Sequence, residues 1–204
     1  MKQKVAVIDY GMGNLYSVCN SFAAVGIKTE ILSSPESIFK FDKLILPGVG
    51  AFGDAMKELT ARGLKDAIRE FVTLGKPLLG ICLGMHLLLD KSEESKGIAG
   101  LGIISGEVKK FSSRLKCPHI GWNQIEKRKK TSKLFRGLEK DVYAYFCHSY
   151  FVKPCQKSVV LAETEYGIRF ASMIGRDNVY GLQFHPEKSQ AIGLKMLKNF
   201  ITLC

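Results

Sequence analysis

The chain has 204 residues, and the 46% that are hydrophobic can bury a sizeable core, which excludes a disordered protein and predicts one domain over residues 1–204. It shows no signal peptide and no apolar run near the twenty residues of a membrane span, so we expect a cytoplasmic protein without membrane association. The net charge of +11 would suit nucleic acid, but the densest basic run, Lys127–Lys130, has no nucleic-acid-binding motif around it. We interpret that run as a solvated turn and predict no nucleic-acid partner.

Six cysteines raise the question of disulfide bonds or a metal site. In a reducing compartment we expect them to remain thiols. Cys117 with His119, and Cys147 with His148, fit no zinc-ligand spacing, so a buried structural thiol is the favoured interpretation. We therefore predict neither a metal nor a cofactor.

The first half of the chain alternates apolar strands with amphipathic helices. Such alternation is typical of an α/β fold, with a mostly parallel central sheet flanked by helices on both faces. The helical segments begin near Leu15 and Leu64, where apolar residues recur at helical spacing. The predicted strands are Val5–Tyr10, Thr29–Leu32, Leu44–Leu46 and Pro77–Leu79.

After Leu101 the pattern changes to shorter strands with hairpin-like spacing, which predicts an antiparallel extension of the sheet. An amphipathic helix around Leu194–Ile201 closes the chain. The predicted strands of this half are Glu107–Phe111, His119–Glu126, Val142–Phe151, Val159–Glu163, Phe170–Ile174 and Val179–Phe184.

Two glycine-containing turns follow strands of the first half. Gly11–Asn14 lies where a dinucleotide-binding fingerprint would lie, but Tyr16 occupies the place of its third glycine. We interpret it as a surface turn that could face a partner. Pro47–Gly50 follows the third strand, and by itself it could be a plain turn. Beside a nucleophile, its glycines would let backbone N–H groups approach a developing oxyanion.

The segment Gly80–Gly84 predicts a cysteine nucleophile. It follows a buried strand and opens a helix, and glycines two residues either side of Cys82 let strand and helix pass closely. This is the cysteine form of the nucleophile elbow. A thiol at a helix N-terminus faces unpaired N–H groups and the positive end of the dipole, which favour the thiolate.

A candidate base and its orienting carboxylate follow the last predicted strand. His185 precedes a proline and is therefore extended, so His185 and Glu187 project towards the same side. We infer that His185 activates Cys82 and that Glu187 orients the imidazole. His148 competes as base but has no carboxylate nearby along the chain, and a core histidine is plausible for it.

Trp122 is the only tryptophan. Composition alone favours a core position for it. The alternative is an anchor at a protein–protein contact, where tryptophan is enriched.

These motifs together resemble the class I (triad) glutamine amidotransferases, which have a flavodoxin-like architecture. The similarity narrows to the HisH family, the glutaminase subunits of imidazole glycerol phosphate synthase, and spans essentially the whole chain. The motifs that carry it are Asp9–Leu15, Pro47–Gly50, Gly80–His86, Pro118–Asn123, Tyr145–Tyr150 and Gln183–Ser189.

The resemblance implies a catalytic triad of Cys82, His185 and Glu187 that hydrolyses L-glutamine through a thioester. It implies an oxyanion hole from the N–H groups of Leu83 and Val49, the latter after rearrangement of its loop.

The resemblance also places Gly50, Ser149 and Tyr150 at the glutamine pocket. His86 stands where the family usually has a substrate-binding glutamine, and this departure puts substrate affinity and pH dependence in question.

The resemblance further implies a heterodimer. Ammonia would pass to HisF, a (β/α)₈-barrel cyclase that makes imidazole glycerol phosphate in histidine biosynthesis. Asn14, Trp122, Tyr145 and Lys188 match positions that face this partner, which reverses the core placement of Trp122.

Three alternatives stay open at this point. A HisH-like paralogue would feed ammonia to a synthetase that amidinates a surface sugar. A cysteine hydrolase or peptidase would share the elbow but ignore glutamine. A basic nucleic-acid-binding or scaffold protein would not need Cys82 at all.

Overall fold

The computed structural model describes residues 3–138 and 142–204, which form the α/β fold that the sequence predicts. Twelve strands lie within the described residues. They are β1 (Val5–Ile8), β2 (Thr29–Leu32), β3 (Lys43–Leu46), β4 (Leu78–Ile81), β5 (Lys91–Ser92), β6 (Gly106–Lys110), β7 (His119–Lys127), β8 (Val142–His148), β9 (Tyr150–Pro154), β10 (Val160–Glu165), β11 (Arg169–Arg176) and β12 (Val179–Leu182). The α-helices are α1 (Leu15–Ala24), α2 (Phe52–Ala61), α3 (Leu64–Thr73), α4 (Leu83–Leu87) and α5 (Gln190–Leu203).

The sheet has a parallel half and an antiparallel half. Its strand order is β2-β1-β3-β4-β12-β11-β10-β7-β8, with β5, β6 and β9 attached beside β11. Every pairing from β2 to β12 is parallel, whereas β12 to β8 pair antiparallel. The two halves meet at β12, which lies next to the strand that carries the elbow.

Each face of the parallel half is covered by helices. Successive side chains of a strand point to opposite faces, so Ala6 and Ile8 belong to one apolar cluster and Val5 and Val7 to the other. Helices α2, α3 and α4 supply the first cluster, and α1 and α5 supply the second. Burial on both faces explains why these strands are continuous apolar runs in the sequence.

Three elements differ from the sequence-based prediction. The short strand β5 is not predicted. Helix α2 is not predicted, because Ala51 at its N-cap offers no side-chain cap and the caps come from a distant loop. Val142–Phe151 is predicted as one strand, but the structure divides it at Ser149 into β8 and β9. The two pieces pair with different neighbours, β8 with β7 and β9 with β6.

The basic run Lys127–Lys130 lies at the end of β7. The side chains of Arg128, Lys129 and Lys130 are exposed, as predicted. Lys127 differs from them, because its Nζ donates to Leu138 O at 2.9 Å. Within the part of the chain that the structure describes, no helix has both the length and the apolar character needed to cross a membrane.

Candidate active site

Cys82 lies at the tip of a strained turn between β4 and α4. Its backbone has φ +53° and ψ −109°, a region that side-chain-bearing residues rarely adopt. A Cβ on Gly84 would come within 1.8 Å of Leu46 O, and one on Gly80 within 2.7 Å of the Gly84 backbone. Strand and helix therefore pass so closely that only glycine fits at both places, as the elbow motif requires.

His185 and Glu187 lie beside Cys82 because β12 pairs in parallel with β4. Leu182 lies opposite Ile81, so the residues that follow both strands emerge at the same edge of the sheet. His185 Nδ1 lies 2.8 Å from Glu187 Oε1, and the backbone N–H of His185 donates to Tyr145 O at 2.9 Å. The second imidazole nitrogen is thereby left for the thiol.

The electrostatics of His185 favour its protonated form. Burial lowers its pKa, but hydrogen bonds to Cys82 and Glu187 and the charges of both groups raise the pKa to about 10. An imidazolium held against a sulfur favours the thiolate, which is the nucleophilic form of cysteine.

An open cavity of about 330 Å³ lies over the thiol. Both Cys82 and His185 line it, and Cys82 Sγ lies 4.0 Å from Cys147 O. The other predicted site residues on its wall are Val49, Gly50, Leu83, His86, Ser149, Tyr150 and Lys188. The structure thus brings the residues predicted for catalysis, the oxyanion hole and substrate binding to one place, although Glu187 lies behind the imidazole.

The loop predicted for the oxyanion hole is not in a binding conformation. Val49 N–H donates to Met12 O at 3.4 Å, a residue that does not line the cavity. Gly50 has φ +94°, and Tyr10 OH holds Pro47 O at 2.9 Å. Leu83 differs from Val49, because it begins α4 and its N–H has no acceptor within the helix.

His86 is buried and uncharged. Its Nε2 lies 2.8 Å from Gln183 Oε1, and because a carbonyl oxygen only accepts, Nε2 carries the proton. Burial lowers the pKa of His86 to about 4 despite the hydrogen bond to Gln183, which acts in the opposite direction. His86 therefore offers the cavity a neutral imidazole where the family usually offers an amide.

Glu94 is a cavity residue that the sequence analysis missed. Its Oε2 accepts from the N–H of Phe52 at 2.8 Å, so it caps α2 directly after the oxyanion loop. It is the only carboxylate on the described cavity wall. The sequence gives little signal for it, because the helix that it caps lies 42 positions away.

The residues predicted at the partner interface lie at the surface. Trp122 is 49% exposed, so its core placement from composition is wrong. It lies opposite Tyr145 in the β7–β8 pair and contacts that ring edge-on at 6.3 Å between centroids. Lys188 Nζ lies 5.7 Å from the centre of the Tyr145 ring. Asn14 is exposed at the start of α1, where its side chain accepts from Ser17 N–H at 3.1 Å.

The cysteines of the two Cys–His pairs, Cys117 and Cys147, are exposed, so the prediction of buried structural thiols is wrong. The histidines of these pairs contact each other. His119 Nδ1 lies 3.0 Å from His148 Nε2, and both side chains are buried. Across residues 3–138 and 142–204, no group of three or more His, Cys, Asp or Glu residues is placed to hold a metal ion.

Comparison with known proteins identifies the family. The model of the family "Glutamine amidotransferase class-I" matches residues 6–204. A protein of Moorella thermoacetica named imidazole glycerol phosphate synthase subunit HisH is 49% identical over 196 residues, which cover 96% of this chain and 93% of that protein. A protein of Aquifex aeolicus with the same name is 51% identical over 198 residues, covering 97% and 95%.

Solved structures show the same fold at much lower identity. A structure described as a glutamine amidotransferase superposes with a TM-score of 0.77 at 20% identity, covering 97% of this chain and 96% of that one. PurLQS from Thermotoga maritima gives 0.79 at 18% identity and covers 98% of each chain. This chain belongs to the class-I glutamine amidotransferase family and, within it, to the HisH subunits of imidazole glycerol phosphate synthase.

Proposed function

We propose that this chain hydrolyses L-glutamine to L-glutamate and ammonia with Cys82, His185 and Glu187 as its catalytic triad. The observation that carries the proposal is the buried His185–Glu187 pair, whose free imidazole nitrogen meets the elbow thiol in a cavity. Within residues 3–138 and 142–204, no other cysteine has both a helix N-terminus and an imidazole–carboxylate pair beside it.

The reaction takes two displacements at one carbon. The Cys82 thiolate attacks the carboxamide carbon of glutamine, and the carbonyl electron pair moves onto oxygen. His185 gives its proton to the departing nitrogen, so ammonia leaves and a thioester remains. Neutral His185 then takes a proton from water, whose oxygen attacks the thioester. Glutamate leaves as the thiolate returns, and Glu187 stabilises the imidazolium at both stages.

Substrate orientation follows from the charges around the cavity. Glutamine carries an α-ammonium group, and the Glu94 carboxylate is the group on the described wall that attracts it. Ser149 and Tyr150 line the connection between β8 and β9, where backbone and hydroxyl groups can bind the α-carboxylate. His86, with its Nε2 proton committed to Gln183, contributes a neutral ring surface and a free Nδ1 acceptor.

The oxyanion hole is complete only after a change at Val49. Its N–H must leave Met12 O and turn to the cavity, where it joins the Leu83 N–H at the oxygen of the tetrahedral intermediate. The bond that must break is long at 3.4 Å, and the peptide that carries this N–H follows Gly48, whose lack of a side chain lets the peptide rotate at low cost.

We propose that the partner is the (β/α)₈-barrel cyclase HisF, which uses the ammonia to make imidazole glycerol phosphate in histidine biosynthesis. The exposed aromatic pair Trp122–Tyr145, with Lys188 and Asn14, supplies the contact surface. The names of the relatives favour this acceptor over a surface sugar. We propose that residues 1–204 act as one domain, because one sheet runs through the described residues. We also propose a cytoplasmic location, where six free cysteines would stay reduced.

The test is glutamate release from glutamine by the purified chain, alone and with the barrel partner. Cys82→Ala should abolish release under both conditions, because the nucleophile is gone. Cys147→Ala is the matched control, since Cys147 also lines the cavity but is not at the elbow. Turnover that survives Cys82→Ala, or that fails equally in Cys147→Ala, would contradict the proposed mechanism.

A further inference from the structure

A buried pair of histidines lies behind the glutamine cavity, outside the triad. His119 and His148 lie directly opposite each other in the antiparallel β7–β8 pair, and each is less than a tenth exposed. Only His148 reaches the cavity wall. The proposed chemistry uses neither ring, so their arrangement needs a separate explanation.

The hydrogen bonds fix which nitrogen of each ring carries a proton. His148 Nδ1 lies 2.7 Å from Tyr150 O, and since a carbonyl oxygen only accepts, Nδ1 must donate. The neutral ring then accepts at Nε2, which requires His119 Nδ1, 3.0 Å away, to be the donor. His119 accepts in turn at Nε2 from Asn123 Nδ2 at 3.3 Å.

The start of this chain of donors is fixed as well. Asn123 Nδ2 also donates to Glu165 O at 2.9 Å, and its Oδ1 accepts from the N–H of Gln124 at 2.8 Å. The amide therefore cannot turn over without losing both bonds. Every donor points in one direction, from Asn123 through His119 and His148 to Tyr150 O.

Aromatic packing keeps both rings in place and uncharged. His119 is stacked between Phe146 and Tyr166, with centroids 4.9 and 4.0 Å away and planes within 20°. Burial lowers the pKa of His119 to about 4 and that of His148 to about 3, for which the Tyr150 carbonyl compensates only in part. A charge on His148 would also be repelled by the imidazolium of His185.

The hydrogen-bond chain that begins at Asn123 ends on the backbone of the glutamine pocket. Cys147, whose carbonyl lies 4.0 Å from Cys82 Sγ, directly precedes His148, and the pocket residues Ser149 and Tyr150 directly follow it. At Ser149 the polypeptide leaves β8 and enters β9, so its path depends on few ladder bonds. The His148 bond to Tyr150 O spans that break.

We propose that His119 and His148 are positioning residues for glutamine, acting as a unidirectional hydrogen-bond chain that fixes the Ser149–Tyr150 backbone in the cavity. The inference depends on the proposed glutaminase function. Neither ring exchanges a proton with the substrate. Their contribution is to hold the glutamine-binding backbone at one distance from Cys82.

Two alkylating probes of Cys82 separate this role from effects on the thiol. Acivicin, an electrophilic glutamine analogue, must occupy the glutamine pocket, whereas iodoacetamide needs only a reactive sulfur. His148→Phe should slow labelling by acivicin about tenfold or more and raise the KM for glutamine similarly. Its labelling by iodoacetamide should stay within about twofold, because the triad is untouched.

Matched variants test the direction of the hydrogen-bond chain. His148→Asn keeps an N–H at the position of Nδ1 and should recover much of the acivicin rate, because the bond to Tyr150 O can form again. His119→Phe keeps the stack with Phe146 and Tyr166 but removes the donor to His148, so it should slow acivicin by a smaller factor. This second site keeps the test available if His148→Phe does not fold.

Nitrogen NMR of the imidazoles in the unmodified chain gives an independent measurement. Both rings should show protonated Nδ1 and bare Nε2 at neutral pH. The opposite tautomer would overturn the inference. So would folded variants whose ratio of acivicin to iodoacetamide labelling rates equals that of the parent, including variants in which both labelling rates fall together. A parent chain that neither reacts with acivicin nor releases glutamate would instead refute the proposed function.

Discussion

The two halves of the sheet carry different kinds of residue. In the parallel half, strands β3, β4 and β12 are buried on both faces, and their carboxyl ends present the oxyanion loop, Cys82 and His185. In the antiparallel half, β8 alternates buried and exposed residues, with Tyr143, Tyr145 and Cys147 on the outer face and His148 on the inner. The proposed catalytic residues thus lie at strand ends, whereas the residues proposed for partner recognition are spread along strand faces.

This difference predicts that the two halves respond differently to substitution. Changes at the carboxyl ends of the parallel strands should affect turnover or folding. Changes on the outer face of β7 and β8 should affect assembly and leave both of those properties intact. The following expectations test that division, beginning with the largest effect.

Glu187→Gln should cost glutaminase turnover about 10²–10⁴-fold, because the imidazolium loses its charged partner at 2.8 Å. Turnover in the presence of the barrel partner is the measurement. Glu126→Gln, a half-buried carboxylate on β7 outside the cavity, is the control and should leave turnover unchanged. A loss below tenfold would mean that Glu187 does not orient His185.

Gly84→Ala should destabilise the fold by about 3 kcal/mol or more, since its Cβ would come within 1.8 Å of Leu46 O, a rigid backbone atom. Urea unfolding measures this. Gly13→Ala is the comparison, because the nearest atom to its Cβ lies at an ordinary 3.5 Å. Equal stabilities of the two variants would show that the elbow can relax, against the close approach described above.

Trp122→Ala should weaken binding of the barrel partner by about 2 kcal/mol, roughly thirtyfold, because an exposed tryptophan beside Tyr145 is a typical hot spot. Stability of the free chain should change by less than about 0.5 kcal/mol. Ile31→Ala, at a 59% exposed position on the opposite edge strand, should change neither quantity. Titration calorimetry that found no difference between the variants would place the interface elsewhere.

His86→Gln should make the stability of the fold less sensitive to acid. The pKa of His86 is about 4 in the folded chain and about 6.5 when unfolded, so between these values unfolding takes up a proton. Stability therefore falls as pH drops from 6.5 to 4, by up to about 1.4 kcal/mol per pH unit from this group, and is unaffected above 6.5. Urea titrations at several pH values should show a shallower slope in the variant.

Much of the parallel half could be predicted from the sequence, because its signals are local. The apolar runs, the Gly80–Gly84 elbow and the His185–Glu187 spacing each lie within a few residues. Their convergence then follows from the rule that parallel strands end at one edge. The interpretation of His148 as a satisfied core histidine is confirmed by its two hydrogen bonds.

The remaining features depend on contacts that the sequence does not encode locally. Glu94 reaches the cavity by capping a helix 42 residues away. His119 meets His148 only because of the β7–β8 register, and Trp122 is exposed because that register turns it outward. In the antiparallel half, pairing partners and register decide what each side chain does, and neither can be read from spacing alone.

The orientation of the peptide between Gly48 and Val49 bears on when glutamine is hydrolysed. While its N–H donates to Met12 O, the proposed oxyanion hole lacks its second donor. Under the proposed mechanism, glutamine could then be bound without being hydrolysed. Rotation of this single amide would complete the oxyanion hole and allow ammonia release. A partner that triggers the rotation would therefore control when glutamine is hydrolysed.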